Sequence, residues 1–245
     1  MELRFDDFKD RAKDPNLSKW EKIGFPDSYR KESEKFIFDD VVEKLKLKDT
    51  NVKTILDIGC GCSTLVELII DFSHNQTKSL FLVDSEEMLA SIDAGAKLAS
   101  PDLKLIPGCF PDVELDDEVY SNKFDAILVY SVIQYPFLEG SIFSFIHKCV
   151  DLLNVGGRLL IGDIPNYSKR ERFLASESGQ EFLNQNAIIS QNILTDHKQS
   201  ERIDDSIIFS ILQRYRSFGC ETYLLEQAPE LPFSNRREDI LIVKR

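Results

Sequence analysis

The chain has 245 residues, of which 42% are hydrophobic and 29% charged, as is ordinary for one globular domain with a full α/β core. No apolar run approaches the ~20 residues that cross a membrane, and the charged N-terminus lacks a signal-peptide core, so we expect a cytoplasmic protein without a membrane partner. The net charge of −12 disfavours a polyanionic partner such as DNA or RNA.

The N-terminal part differs in character from the rest of the chain. Residues 1–31 are polar with scattered aromatic side chains, a pattern that predicts short irregular helices. Apolar positions at helical spacing predict a longer helix over 32–47. We therefore expect 1–50 to form a helical cover, with Tyr29 near the acceptor, and 51–245 to form the main domain.

The next hundred residues alternate apolar strands with helices, which indicates a buried, mostly parallel sheet with helices on both faces. The predicted strands are 53–58, 79–83, 103–106, 124–129 and 158–161, and the predicted helices are 63–72, 86–98 and 139–153.

The strand and helix rhythm stops after the fifth strand. Residues from about 164 to 203 are polar and carry only patchy helical signal, which predicts a lid insertion. A helix over 205–218 and strands over 221–226 and 239–244 follow. The short gap between these two strands predicts a hairpin, so the last strand should be antiparallel.

A glycine-rich turn joins the first strand to its helix. Such a turn brings bare backbone against a ligand at the positive end of a helix dipole. Asp57, Gly59, Gly61 and then Ser63 resemble motif I of the class I S-adenosylmethionine (SAM)-dependent methyltransferases, with Ser63 in place of a third glycine. The resemblance implies SAM as cofactor, with Asp57 at its methionine end. The rival Gly-x-Gly-x-x-Gly dinucleotide fingerprint would need its third glycine at the bulky Thr64.

Two further motifs resemble the nucleoside site of this family. Asp84 ends strand two, where doubly wound folds place an acid on the ribose hydroxyls, although Asp84 also suits a helix N-cap. The segment from Ser85 resembles the one that lies against adenine, and Met88 suits either a flat ring or the core. Cys109 stands where the family often has an acid, which implies adenine recognition by backbone near Cys109 and Phe110.

The loop after strand four lies near the transferred methyl group in this family. Tyr130 to Tyr135 resembles a Ser-x-x-His-His/Tyr pattern of small-molecule methyltransferases, with Gln134 in place of the histidine. Gln134 cannot act as a base. The resemblance implies that Tyr130 contacts the cofactor and that Gln134 and Tyr135 lie near the reacting atoms.

The turn and strand over 152–164 resemble the family's Leu-Lys-Pro-Gly-Gly turn and fifth strand. Resemblance therefore covers roughly 50–165. It implies a doubly wound, Rossmann-like seven-stranded sheet with an antiparallel last strand.

The acceptor side of the site has weaker signals. Methyl transfer depends on positioning, but an alcohol acceptor needs a base. Asp163, at the end of strand five, suits a base, an acceptor anchor or a loop cap. Three cations within four positions, including Arg170, suit either a phosphate or carboxylate ligand or a solvated helix. Asn166 is a further acceptor candidate, and His197 an alternative base.

The cysteines give no indication of a metal. The chain has five, an odd number that indicates reduced thiols in the cytoplasm. Cys60 and Cys62 have no partner cysteines or histidines at ligand spacing, so we expect no metal site.

The stretch over 162–173 also resembles methyltransferases from bacterial surface-polysaccharide gene sets. Together the resemblances imply methyl transfer from SAM to a small polar acceptor, through oxygen of a sugar, nucleotide-sugar or phosphorylated metabolite. The alternatives are a non-catalytic SAM-binding subunit, a NAD-dependent oxidoreductase on a related fold, and methylation of protein or nucleic acid. The acidity of the chain disfavours nucleic acid.

Overall fold

A computed structural model describes residues 3–99, 102–115, 123–185 and 202–245. Their seven strands form one sheet in the order β3-β2-β1-β4-β5-β7-β6. The strands are β1 (Thr54–Ile58), β2 (Ser79–Asp84), β3 (Leu103–Pro107), β4 (Phe124–Tyr130), β5 (Leu153–Pro165), β6 (Glu221–Leu225) and β7 (Arg237–Val243). The first five pair in parallel, whereas β7 runs antiparallel to both β5 and β6. The predicted mostly parallel sheet with an antiparallel last strand is confirmed.

The helices in the described residues are α1 (Phe5–Lys13), α2 (Lys19–Lys22), α3 (Asp27–Arg30), α4 (Glu34–Lys44), α5 (Thr64–Asn75), α6 (Glu86–Ala90), α7 (Ala94–Ala99), α8 (Gln134–Glu139), α9 (Ile142–Leu152), α10 (Tyr167–Ala175), α11 (Glu177–Gln185) and α12 (Asp205–Ser217). None of these described helices is long and apolar enough to cross a membrane. Helices α10 and α11 fall in the first half of the predicted lid. His197 and the rest of the lid up to 201 lie outside the described residues.

The helix predicted over 86–98 is two short helices instead. Ser85 begins α6 by accepting the Met88 N–H at 3.1 Å, and the Asp93 carboxylate begins α7 by accepting the Ala96 N–H at 3.1 Å. The helix ends between them at Ser91, whose hydroxyl donates to the Ala12 carbonyl of α1 at 3.2 Å. A second capping residue within the predicted helix is therefore what divides it.

The core lies in two layers, one on each face of the sheet. Successive strand residues point to opposite faces, so Leu56 belongs to the layer under α9 and α12, and Ile55 to the layer under α4 and α5. Both faces are covered, which explains why the central strands are almost continuously apolar.

Candidate active site

A cavity of about 530 Å³ opens at the carboxyl ends of the central strands, a volume within the usual range for small-ligand sites. Nine of the predicted site residues line it: Asp57, Gly59, Gly61, Asp84, Met88, Cys109, Phe110, Tyr130 and Tyr135. The N-terminal segment supplies a further wall from α1 to α3, through Phe5, Phe8, Ile23, Phe25 and Arg30. We call this space the main cavity.

The turn after β1 needs glycine at two positions. Gly59 and Gly61 have φ of +71° and +66°, in the left-handed region that side chains disfavour. A Cβ on Gly59 would also lie 2.5 Å from Val132 Cγ2, and one on Gly61 would lie 2.7 Å from Ile23 Cγ2. The turn is therefore closed in by the β4 loop and by the N-terminal segment, with its bare backbone on the cavity wall.

Two acids stand side by side at this turn, Asp57 buried and Asp84 partly exposed. Asp84 accepts the Gly61 N–H at 2.9 Å and the Ser85 N–H at 2.7 Å, and burial raises its pKa to about 6 against the lowering effect of these two donors. Asp57 has no hydrogen-bond donor in the described part of the chain, and burial, together with the Asp84 charge, raises its pKa to about 8. Ser85, predicted to contact the cofactor, is buried and does not line the cavity. It is the N-cap of α6.

The main cavity is acidic overall. Among the described residues, its charged lining consists of four acids, Asp57, Asp84, Asp112 and Glu139, and one cation, Arg30. In a water-poor site this distribution favours a ligand that carries positive charge.

Arg30 is the residue that the sequence prediction missed most clearly. Only 4% of it is exposed, and its guanidinium lies 4.7 Å from the Phe25 ring centroid and 5.3 Å from that of Tyr130. It forms ion pairs with Glu34 at 3.5 Å and with Asp163 at 3.7 Å. A single arginine in a polar segment gives no local signal of such burial, because its partners lie on other elements.

Glu34 joins the N-terminal segment to the glycine turn. One carboxylate oxygen accepts the Leu65 N–H at the start of α5 at 3.1 Å and the Trp20 indole N–H at 3.0 Å. Glu34 is buried, so one free backbone donor and the positive dipole end of α5 face a carboxylate from the protein itself.

Asp163 lies behind the main cavity and is not among its lining residues. Its carboxylate accepts hydrogen bonds from the Ser131 hydroxyl and, at 3.2 Å, from Arg237. Ser131 and Asp163 have φ of +59° and +58°, so two strained residues face each other, one directly after β4 and the other near the end of β5, before Pro165. Asp163 thus connects Arg30, on the main cavity, with Arg237.

A second cavity of about 280 Å³ is lined by three other acceptor candidates. Gln134, Asn166 and Arg170 line it, whereas Tyr29 packs its ring 5.2 Å from that of the lining residue Phe233. The sequence prediction grouped these residues with Tyr135 at one acceptor site. The structure separates them, with Tyr135 alone on the main cavity.

The side chains of Gln134 and Asn166 already have partners. Gln134 donates to the Ser131 carbonyl at 2.8 Å. The Asn166 amide donates to Glu238 at 2.6 Å and to Asp205 at 2.8 Å. Among the described residues, no group of three or more histidines, cysteines and acids is arranged to hold a metal ion.

No family model and no curated protein matches this sequence, but solved structures match its fold. The plantazolicin methyltransferase BpumL in complex with SAH is 15% identical, with 98% of each chain covered and a TM-score of 0.59. The methyltransferase domain of bacterial CtHen1 is 16% identical, with 87% of this chain and 100% of that chain covered and a TM-score of 0.55.

A protein from Nostoc punctiforme PCC 73102, provisionally assigned as an O-methyltransferase, is 14% identical with a TM-score of 0.53. The match covers 87% of this chain and 59% of that longer one. At sequence identities this low, the similarity to these structures is one of fold alone. The chain has the class I methyltransferase fold, as the motifs predicted.

Proposed function

We propose that this protein is an enzyme that transfers a methyl group from SAM to a small polar acceptor, through oxygen. The observation that carries the proposal is the pair of neighbouring acids, buried Asp57 and partly buried Asp84, on the wall of an acidic cavity in this fold. SAM carries a sulfonium and an ammonium group against one carboxylate. It therefore suits a cavity that is rich in carboxylates and poor in cations.

Different lining residues suit different parts of SAM. The backbone from Gly59 to Gly61 lines the cavity, and Asp84 retains acceptor capacity for the ribose hydroxyls beyond its two backbone donors. Met88 and Phe110 offer apolar surface for the adenine. Asp57, which lacks a donor in the described residues, is matched to the ammonium group.

SAM supplies an electrophilic methyl group, so the protein's task is mainly to orient the acceptor and exclude water. Tyr135 lines the main cavity and packs edge-on against Phe8, 5.2 Å between ring centroids. We assign Tyr135 to the acceptor's reacting end. Asp163 fits a positioning role better than that of a base, because Ser131, Arg30 and Arg237 surround its carboxylate.

The residues before 51 fit a cover over this site. The buried ion pair of Arg30 with Glu34 ties the segment to α4 and α5, while Ile23 lies against Gly61. We propose that the cover closes the main cavity over SAM and that 51–245 form the domain that it covers.

Two observations count against the NAD-dependent alternative. A dinucleotide places its pyrophosphate at the N-terminus of the first helix, but Glu34 already occupies the N-terminus of α5. The sheet also departs from the parallel six-stranded dinucleotide order, because β7 is antiparallel and lies between β5 and β6.

The acceptor class that we favour is a sugar, nucleotide-sugar or phosphorylated metabolite, because the second cavity presents polar and cationic groups beside the main one. A methyl-transfer screen with labelled SAM against hydroxylated sugars, their phosphates and nucleotide-sugars tests the proposal. We expect turnover of at least one class. SAM binding with no turnover across the screen would favour the non-catalytic subunit instead.

A further inference from the structure

Four guanidinium groups surround the second cavity. They belong to Arg170 on α10, Arg202 before α12, and Arg236 and Arg237 at the start of β7. The described lining residues include no aspartate or glutamate, in a chain with 42 acids against 30 lysines and arginines. We call this space the arginine cavity.

Two of these arginines have no acidic partner in the described part of the chain. The Arg236 guanidinium packs 4.5 Å from the Phe233 ring centroid, and that of Arg170 lies 5.4 Å from the Tyr167 ring centroid. Burial, with the charges of Arg237 and Arg170, lowers the pKa of Arg236. Arg237, by contrast, is paired with Asp163. Clustered cations that repel each other in a half-enclosed space are stabilised by an anion that binds between them.

Helix α8 separates the arginine cavity from the main cavity. Gln134, Phe137 and Leu138 line the arginine cavity, while Tyr135, Pro136 and Glu139 line the main cavity. Spacings of three and four residues place the first set on one side of the helix. A ligand group in the arginine cavity is therefore one helix away from the acidic site proposed to hold SAM.

We infer that the arginine cavity binds the phosphate or diphosphate group of the methyl acceptor. The identification of the ligand as a methyl acceptor rests on the proposed function, whereas the anion site itself rests on the geometry of the arginine cavity. Guanidinium forks match phosphate oxygens in pairs, and Tyr167 and Phe233, against which Arg170 and Arg236 pack, hold these groups at the cavity. The acceptor's anion and the cationic SAM then occupy cavities of opposite charge.

Calorimetric titration with pyrophosphate, inorganic phosphate and glucose 1-phosphate at constant ionic strength tests this inference. The variants are the double substitution R170Q/R236Q and the control R172Q. Arg172 lies on the same helix but outside the cavity, paired with Asp205 at 2.5 Å. R236K serves as the conservative variant, which keeps the charge but not the fork.

We expect wild type and R172Q to bind pyrophosphate alike, R170Q/R236Q to bind it at least tenfold more weakly, and R236K to fall between. Binding of glucose 1-phosphate at least as tight as inorganic phosphate identifies an ester ligand. Binding of inorganic phosphate alone would overturn the assignment to an acceptor, and no binding, or equal binding by all variants, would overturn the anion site.

The same variants are titrated with S-adenosylhomocysteine (SAH), which reports on the main cavity and on folding. Unchanged SAH binding in R170Q/R236Q places any pyrophosphate defect in the arginine cavity. If SAH fails to bind to wild type while pyrophosphate binds, the methyltransferase proposal falls and the anion site stands. If SAH binds to wild type while pyrophosphate does not, the anion site is refuted and the methyltransferase proposal stands.

Discussion

Replacing Asp57 with asparagine should make the ligand-free protein more stable at alkaline pH. The folded-state pKa of Asp57 is raised from 3.8 to about 8 by burial and by the Asp84 charge. The folded protein therefore keeps a proton that the unfolded chain releases. The stability associated with this proton is complete below pH 3.8 and is lost as the pH rises to 8.

The size of the effect follows from the same pKa values. Each pH unit between them costs about 1.4 kcal/mol, so the loss from pH 5 to pH 8 is about 4 kcal/mol at most. Asp57 is 3% exposed, so solvent screening gives little reduction. Asp84, with its pKa raised to about 6, adds a smaller loss of the same sign, and this loss is common to wild type and D57N.

Urea unfolding followed by circular dichroism at pH 5, 6, 7 and 8 measures the effect. The free energy of unfolding of wild type should fall more steeply with pH than that of D57N, with the two curves diverging by about 2–4 kcal/mol at pH 8. D112N, which removes an exposed acid from the same cavity, should retain the wild-type slope. Parallel curves for wild type and D57N would refute the account of Asp57.

The remaining predictions concern cofactor binding and the N-terminal segment. We expect the ionised form of Asp57 to bind the ligand, so wild type should bind SAH about tenfold more tightly at pH 7 than at pH 6 and should release a proton on binding. Calorimetry in two buffers measures the affinity and the proton release. A D57N variant with the same pH dependence would contradict this role. E34Q should lower the free energy of unfolding by about 2–4 kcal/mol, because it leaves the buried Arg30 guanidinium with the longer ion pair to Asp163 and removes the charged acceptor of the Leu65 N–H. E32Q, which removes an exposed acid nearby, should cost under about 0.5 kcal/mol. G61A should destabilise by more than G219A, since both have positive φ but only the first meets a neighbouring side chain; equal losses in chemical unfolding would show that the close approach is unimportant.

The sheet can be predicted from the sequence because its central strands are buried on both faces and therefore appear as continuous apolar runs. The predicted starts and ends of β1, β2 and β4 are within one residue of those observed. The residues predicted at the glycine turn and Asp84 line one cavity because they belong to local motifs at strand ends. Their role in binding a cofactor stays a prediction.

The acceptor side is less predictable, because its arrangement depends on the short helix α8, where the sequence pattern predicts a loop. Gln134 and Tyr135 are adjacent in the chain, but α8 turns them toward different cavities. Arg30 and Glu34 were missed for a different reason. Their partners are Asp163 and the α5 backbone, and only the tertiary fold brings these groups together.

The most direct test of the account is calorimetric binding of SAH and of NAD to wild type and to D84N at pH 8. Wild type should bind SAH with no detectable affinity for NAD, and D84N should bind SAH at least tenfold more weakly. Tight NAD binding, or SAH affinity that does not depend on the Asp84 carboxylate, would contradict the assignment of this cavity to SAM.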